Sequence, residues 1–340
     1  MVSAKLLQIV RCPECGDPGA LQPDGEHLRC SACGAAYAHC PGYLDLMPRS
    51  GRYAHTSRYV AEEETFAATL DYRQVGPPVL AAGVRQALLR RMLRLRPTDR
   101  VLDVGCGNGK FALWNRPAVA LMVGLDPAPL FADAALECVD LVRGDARQAP
   151  FASGAFDKAF SIDVLEHLTR EDLEAVLAEA YRLLRPGGRL FLYSNTREPS
   201  RLQPLIDLWR HLGAALRRRG LFGPEPDALR KADHVKAIGT FAELEALVQA
   251  HGFRVLRVRF WNSAITSFVE HVVQPFFEGK RRSGPVPASE GRAQWRARAS
   301  RRGPVYFLAR AVTWAMGLDI ALFGRLRSGS YFLLLEKPCG

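Results

Sequence analysis

Four acids each stand at or just after the end of a short apolar run in the middle of the chain: Asp103, Asp126, Asp145 and Asp163. The first leads straight into Gly105-Cys106-Gly107-Asn108-Gly109. Glycines there let the backbone turn from a strand into a helix and pass close to a ligand. The spacing is G-x-G-x-G, whereas a pyrophosphate is seated on a helix N-terminus by G-x-G-x-x-G. A carboxylate beside the loop repels a pyrophosphate but attracts a cationic amino group or a sulfonium. Asp126 lies 23 residues after Asp103, a spacing that suits hydrogen bonds from ribose hydroxyls. Asp145 is placed to accept from an adenine amino group. The competing reading of each lone Asp is a helix N-cap, and that of the set is a nicotinamide enzyme. A ligand with a ribose, an adenine and a positive charge, S-adenosylmethionine, meets all of these requirements together.

A second constellation lies at the N-terminus. Of eight cysteines, four read Cys12-Pro-Glu-Cys15 and Cys30-Ser-Ala-Cys33. Two such knuckles can place four thiolates tetrahedrally on one Zn²⁺. Gly16 and Gly34 follow the pairs, where a tight turn benefits from a residue without Cβ. Four thiolates leave no open coordination position, so the expected zinc is structural, and it supplies much of the folding energy of so small a ribbon. Disulfides are the alternative. Cys106 and Cys138 read as small core residues.

These groups need a scaffold. Strand signals fall at Arg100–Val104, Leu121–Leu125, Val139–Arg143, Phe156–Ile162, Arg189–Tyr193, Phe253–Phe260 and Ser330–Glu336. Helical signals fall between them, at Glu171–Leu184 with a 3.6-residue apolar stripe and at Phe241–Ala250 with Thr240 as N-cap and Glu243 three residues on. This alternation predicts an α/β fold, a doubly wound, seven-stranded, mostly parallel sheet. Ligands of such sheets bind beyond the carboxyl ends of the strands, where the four acids stand.

The formal net charge of +11 is uneven. Residues 261–340 hold twelve Lys/Arg against five Asp/Glu, and residues 197–236 hold nine against five. A basic balance suits nucleic acid, an anionic membrane surface or an acidic substrate; the plainer reading is a solvated face. No secretory signal is read at Met1–Val10. The apolar stretch Val305–Gly324 is interrupted by Arg310 and Asp319, which argues against a spanning helix and leaves a helix lying on a membrane. The expected location is the cytoplasm, with peripheral contact at the inner membrane face.

Over about residues 79–260 the chain resembles the class I methyltransferases. The likeness rests on Asp103 to Gly109, Gly124-Leu125-Asp126, Gly144-Asp145-Ala146, Pro150-Phe151 with Phe156-Asp157, and Leu184-Arg185-Pro186-Gly187-Gly188. It implies a Rossmann-like methyltransferase in which Asp103, Gly105, Cys106, Gly107 and Asn108 hold the methionine part of S-adenosylmethionine. Asp126 and Pro127 would hold the ribose, and Asp145 and Ala146 the adenine; Ser161 and Asp163 would line the site near the methyl group. Gly107 to Phe111 and Phe160-Ser161-Ile162 are similar to the tRNA wobble-uridine carboxymethyl methyltransferases. Cys12 to Cys15 with Gly42 to Pro48 is similar to the start of a bacterial rRNA guanine methyltransferase. Asp163-Val164-Leu165-Glu166-His167-Leu168 and Asp233-His234-Val235 look more like the small-molecule and quinone-pathway enzymes.

For a hydroxyl or acidic-carbon acceptor a base is needed; His167 and His234 are the candidates, while Glu166 reads as a helix-start acid. The expected organisation is a zinc ribbon over 1–50, a linker with leading helices over 51–96, and the core over 97–260 with a lid insertion at 197–239. A basic amphipathic helical insertion comes next over 261–329, then the last strand over 330–340. The expected activity is transfer of a methyl group, by in-line displacement, to oxygen or carbon of a small-molecule or lipid-linked acceptor. The alternatives are a tRNA or rRNA acceptor, or a non-catalytic zinc-ribbon binding protein on the same fold.

Overall fold

The structure, a computed structural model, describes residues 2–25, 27–49, 78–221, 235–273, 275 and 303–339. His234, Pro224–Asp227, Lys280–Arg282 and Arg292–Arg302 lie outside the described residues.

The chain starts with the short helix α1 (Ala4–Leu7) and four short strands, β1 (Leu21–Asp24), β2 (His27–Cys30), β3 (Ala36–Cys40) and β4 (Tyr43–Asp45). These form an antiparallel ribbon. The core strands are β5 (Arg100–Val104), β6 (Leu121–Asp126), β7 (Asp140–Arg143), β8 (Phe156–Ile162), β9 (Leu184–Asn195), β10 (Arg254–Phe260) and β11 (Ser330–Glu336). Their spatial order is β7-β6-β5-β8-β9-β11-β10. β5 to β9 are parallel, and β11 enters antiparallel between β9 and β10. The chain winds outward from β5 to β7, then returns to β8. The point where the order reverses, between β5 and β8, is where such sheets open a crevice at their carboxyl ends.

The ribbon does not merely precede this sheet but extends it. β4 pairs in parallel with β7, Leu44 opposite Val142, so the described strands form one eleven-stranded sheet. Ser3 ties the same edge, its N–H and hydroxyl both donating to Asp140, at 2.7 and 2.8 Å.

β9 begins earlier than its apolar run. Pairing starts at Leu184 and passes through the Pro186-Gly187-Gly188 turn by way of an irregularity between Phe156 and Lys158. Gly187 takes φ +75°, which favours glycine, and its N–H donates to the Lys337 carbonyl.

The helices are α2 (Leu80–Leu93), α3 (Lys110–Asn115), α4 (Asp133–Cys138), α5 (Arg170–Leu183), α6 (Gln203–Arg218), α7 (Phe241–Ala250), α8 (Ala264–Phe268) and α9 (Pro304–Phe323). Thr169 caps α5 and Thr240 caps α7, each hydroxyl accepting the N–H three residues on. Cys138 ends α4 exposed, so it is not the core residue expected; only Cys106 of that pair is buried. α6 and α9 both pack on α8. Asp319 is fully buried at that junction, its carboxylate accepting from the Ile265 and Thr266 N–H groups and the Thr266 hydroxyl, each at 2.8 Å. Tyr306–Phe323 is long and apolar enough to cross a membrane by length and composition. The acid that interrupts it faces inward, and both its oxygens are engaged by α8.

Candidate active site

β5 delivers Asp103 to the head of the glycine loop. The Gly105 and Cys106 N–H groups both donate to the Leu125 carbonyl, at 2.8 and 3.0 Å, which folds the loop over the end of β6. Gly105, Gly107 and Gly109 all have positive φ, yet space is needed in different places. A Cβ on Gly105 would collide with Val164, and one on Gly109 would come within 2.7 Å of Ala135. At Gly107 no atom of the described residues lies within 4 Å of where a Cβ would stand. The loop is therefore packed on both sides and open at its middle.

The acids frame that opening. Asp126 accepts from the Gly107 N–H through Oδ2 at 2.8 Å and from the Ala128 N–H through Oδ1 at 2.9 Å. Asp103 is buried, and its Oδ2 has no hydrogen-bond partner among the described residues. Burial, reinforced by the charge of Asp126, raises the Asp103 carboxyl well above the usual carboxylate range. A buried acid facing a second acid and holding an unsatisfied oxygen matches an absent cationic group. The residues present thus fit the amino-acid end of S-adenosylmethionine.

The other site residues fall around the same crevice. Asn108 is buried and its Oδ1 accepts the Lys110 N–H; the half-buried Pro127 gives its carbonyl to Arg143 Nε at 3.1 Å. Ser161 is buried on β8 and donates to the Val104 carbonyl at 2.8 Å. Asp145 caps the short turn Ala146–Gln148, and both its oxygens are engaged by the Arg147 guanidinium, the closest contact 2.7 Å. Asp163, directly after β8, takes φ +59° and donates its N–H to the Tyr193 carbonyl.

Two residues on the far side of Asp163 are not legible as site residues in the sequence. Arg85, from α2, pairs with Asp163 at 2.6 Å and lies over the Tyr193 ring, 4.8 Å from its centroid. A lone Arg in a helix outside every motif carries no signal of that role. Glu166 is the acid of a helical first turn, as expected, but of a short 3-10 helix ahead of α5. Thr169 caps α5, and Glu166 sits on the preceding single turn Leu165–His167, side chain inward, buried and bonded by Ser194 Oγ and by Asn195 Nδ2. Burial and the charge of Asp163 raise its pKa. His167 is half-buried on the same turn.

In the N-terminal ribbon the four knuckle sulfurs lie within 4.8 Å of one another. Cys12 to Cys33 and Cys15 to Cys30 are each 3.6 Å apart, close to the edge of about 3.8 Å of a tetrahedron with Zn–S bonds of about 2.3 Å. Gly16 and Gly34 hold φ +74° and +75°, and each donates its N–H to the first cysteine of its knuckle at 2.9 Å. The donor set fits a closed structural metal site.

Residues 102–192 match the methyltransferase domain family. The chain is 30% identical to a demethylmenaquinone methyltransferase of Mycolicibacterium vanbaalenii over 172 residues, half of this chain and 75% of that one. This protein is a class I S-adenosylmethionine-dependent methyltransferase. The methyltransferase is also 35% identical to a malonyl-[acyl-carrier protein] O-methyltransferase of Serratia marcescens over 156 residues, 42% of this chain and 60% of that one. It is 40% identical to a tRNA (carboxymethyluridine(34)-5-O)-methyltransferase of Xenopus tropicalis over 95 residues, 27% of this chain and 15% of that one. The methyltransferase thus spans only part of the length of these last two relatives. The acceptors in their names differ.

Proposed function

We propose that the enzyme methylates oxygen or carbon of a small-molecule or lipid-linked acceptor. The observation that carries this reading is the wall beyond Asp163. It is built of Asp163, Glu166 and Tyr193, with the Arg85 guanidinium paired to Asp163 and lying over the Tyr193 ring. Two acids beside an aromatic ring disfavour a phosphate backbone and suit a compact acceptor. Two of the relatives have small or carrier-bound acceptors in their names, which agrees.

S-adenosylmethionine supplies an electrophilic methyl on a sulfonium. In this reading Asp103 would hold the amino group, the backbone at Gly107 would leave room for the amino-acid chain, and Asp126 would serve the ribose hydroxyls. Asp145 would serve the adenine once Arg147 yields one of its oxygens. Asp163, Ser161, Asn108, Pro127, Cys106 and Ala146 complete the lining. Holding acceptor, methyl and sulfur in line accounts for much of the acceleration. His167 is the proposed base for a hydroxyl or acidic carbon, with His234 as its rival. Zn²⁺ on Cys12, Cys15, Cys30 and Cys33 is proposed as a structural ion, and the cytoplasm as the location.

Radiolabelled methyl transfer into separated lipid, small-molecule and RNA fractions tests the acceptor class. Label in the lipid or small-molecule fraction supports the proposal; label in RNA alone overturns it.

A further inference from the structure

The helices α6 and α9 carry more apolar surface than the described residues cover. On α6, Ile206 and Gly213 are buried, Gly213 against His271. A second apolar row beside them faces out: Leu205, Leu208 and Leu212 are 36%, 54% and 38% exposed. Their spacing of three and four residues makes one stripe. On α9 the inner face carries Ala309, Met316 and Ile320, all buried. The opposite face carries Phe307, Trp314 and Leu322, which are 65%, 70% and 66% exposed. Single exposed apolar residues are ordinary, but stripes of this kind mark a contact surface.

The two helices come together at one corner. The Arg201 N–H, just before α6, donates to the Arg327 carbonyl, just after α9. Asn262 bridges the same corner: its Oδ1 accepts from Ser200, and its amide donates to the Phe323 and Leu326 carbonyls, each at 2.8 Å. The start of α6 therefore adjoins the end of α9. The join is basic, with exposed Arg201, Arg325 and Arg327. It lies beside Thr196, whose N–H bonds Gly329. These residues stand at the carboxyl end of β9, the end of the sheet that carries Asp103 and Asp163.

We infer that this corner docks on the surface of an anionic lipid bilayer, on the same side of the sheet as the methyl-transfer site. An apolar stripe with an outward Trp, joined by arginines, is the chemistry of the water–lipid interface: the rings and leucines enter the headgroup boundary and the guanidiniums meet anionic headgroups. A second copy of the chain is disfavoured as occupant, because it would bring the same arginines together. This deepens the acceptor reading and rests on it in one respect only, that a lipid-linked acceptor is reached from the membrane.

The test is flotation of the full chain, without cofactor, on phosphatidylcholine vesicles with and without phosphatidylglycerol. The expected result is binding that needs phosphatidylglycerol and weakens with salt. Trp314→Ser with Leu322→Ser lowers the partition coefficient at least tenfold, and Arg325→Gln with Arg327→Gln lowers it about fivefold per charge removed. Unchanged melting and unchanged calorimetric cofactor binding show that the variants are folded. No vesicle binding, binding indifferent to these substitutions, or a wild-type dimer that the Trp314 variant dissolves would each overturn the docking surface. Vesicle binding with label in RNA alone overturns the acceptor reading instead, so the two can fail separately.

Discussion

Arg143 and Asp45 form an ion pair of 2.7 Å across the seam between the ribbon and the core sheet. The same guanidinium reaches the Pro127 carbonyl, in the loop after the ribose-side acid Asp126. The ribbon is therefore one side chain away from the proposed cofactor loop. Tyr43 adds an edge-on contact with Phe131, 5.3 Å between ring centroids, on the same loop. Asp45→Asn should lower cofactor affinity a few-fold, in line with about 0.5–1 kcal/mol for a half-exposed pair. Isothermal titration with S-adenosylmethionine reads this, and unaltered affinity would show that the seam is structural only.

Metal removal extends that test. Chelation should release one equivalent of zinc, lower the melting temperature and weaken cofactor binding, because folding of so small a ribbon depends on its ion. Atomic emission on the purified protein checks the stoichiometry. Absence of zinc from protein purified without chelator would remove the ion from the account.

Asp103→Asn separates stability from function. The Asp103 carboxyl holds its proton more tightly in the folded protein than in the unfolded chain. As pH rises above the ordinary carboxylate value, the unfolded chain releases that proton first, and the ligand-free protein loses stability until the raised folded value is passed. The Asn variant should escape this penalty and melt higher at neutral pH without cofactor. Its affinity for S-adenosylmethionine should fall about tenfold to a hundredfold, since a charge-assisted bond is worth about 1.5–3 kcal/mol. A variant that melts lower and binds normally would contradict both halves.

The glycines offer a paired control. Gly105→Ala meets Val164 and should destabilise the protein as well as impair it. Gly107→Ala meets no atom of the described residues. It should cost only about 1–2 kcal/mol for its left-handed backbone and act mainly by filling the cofactor's space. Differential scanning calorimetry beside cofactor titration separates the two effects.

Lys158 is a stability prediction remote from the crevice. Its ammonium is buried on β8 and bonds Asp99 at 2.5 Å and the Arg94 carbonyl at 2.6 Å, tying the start of β5 to the end of α2. Lys158→Met leaves Asp99 buried without its counter-charge and should cost about 3–5 kcal/mol. Cofactor affinity of the folded fraction should not change. Urea unfolding with the double variant Lys158→Met, Asp99→Asn, expected to recover part of the loss, checks the cause.

The strands Arg100–Val104, Phe156–Ile162 and Ser330–Glu336 match their apolar runs to the residue, because central strands buried on both faces read as unbroken apolar sequence between turn residues. The four strand-end acids are legible for the same reason: a polar residue stands out where an apolar run stops sharply. Tyr43-Leu44-Asp45 is not, since three residues are too short for alternation and their partner strand is almost a hundred residues away. Arg85 and Glu166 are also hidden. What defines each is a contact from another element, with Asp163 and with Ser194, and no local period records that.

β7 is four residues long, and its side chains from Asp140 to Val142 are buried. Without β4 beside it, it would be the bare margin of the core sheet, with its N–H and C=O groups facing water. Such margins recruit strands from other molecules. The ribbon is thus a guard against misassembly as well as a support for the crevice. A chain whose ribbon comes undone should form aggregates through β7 before its core helices melt.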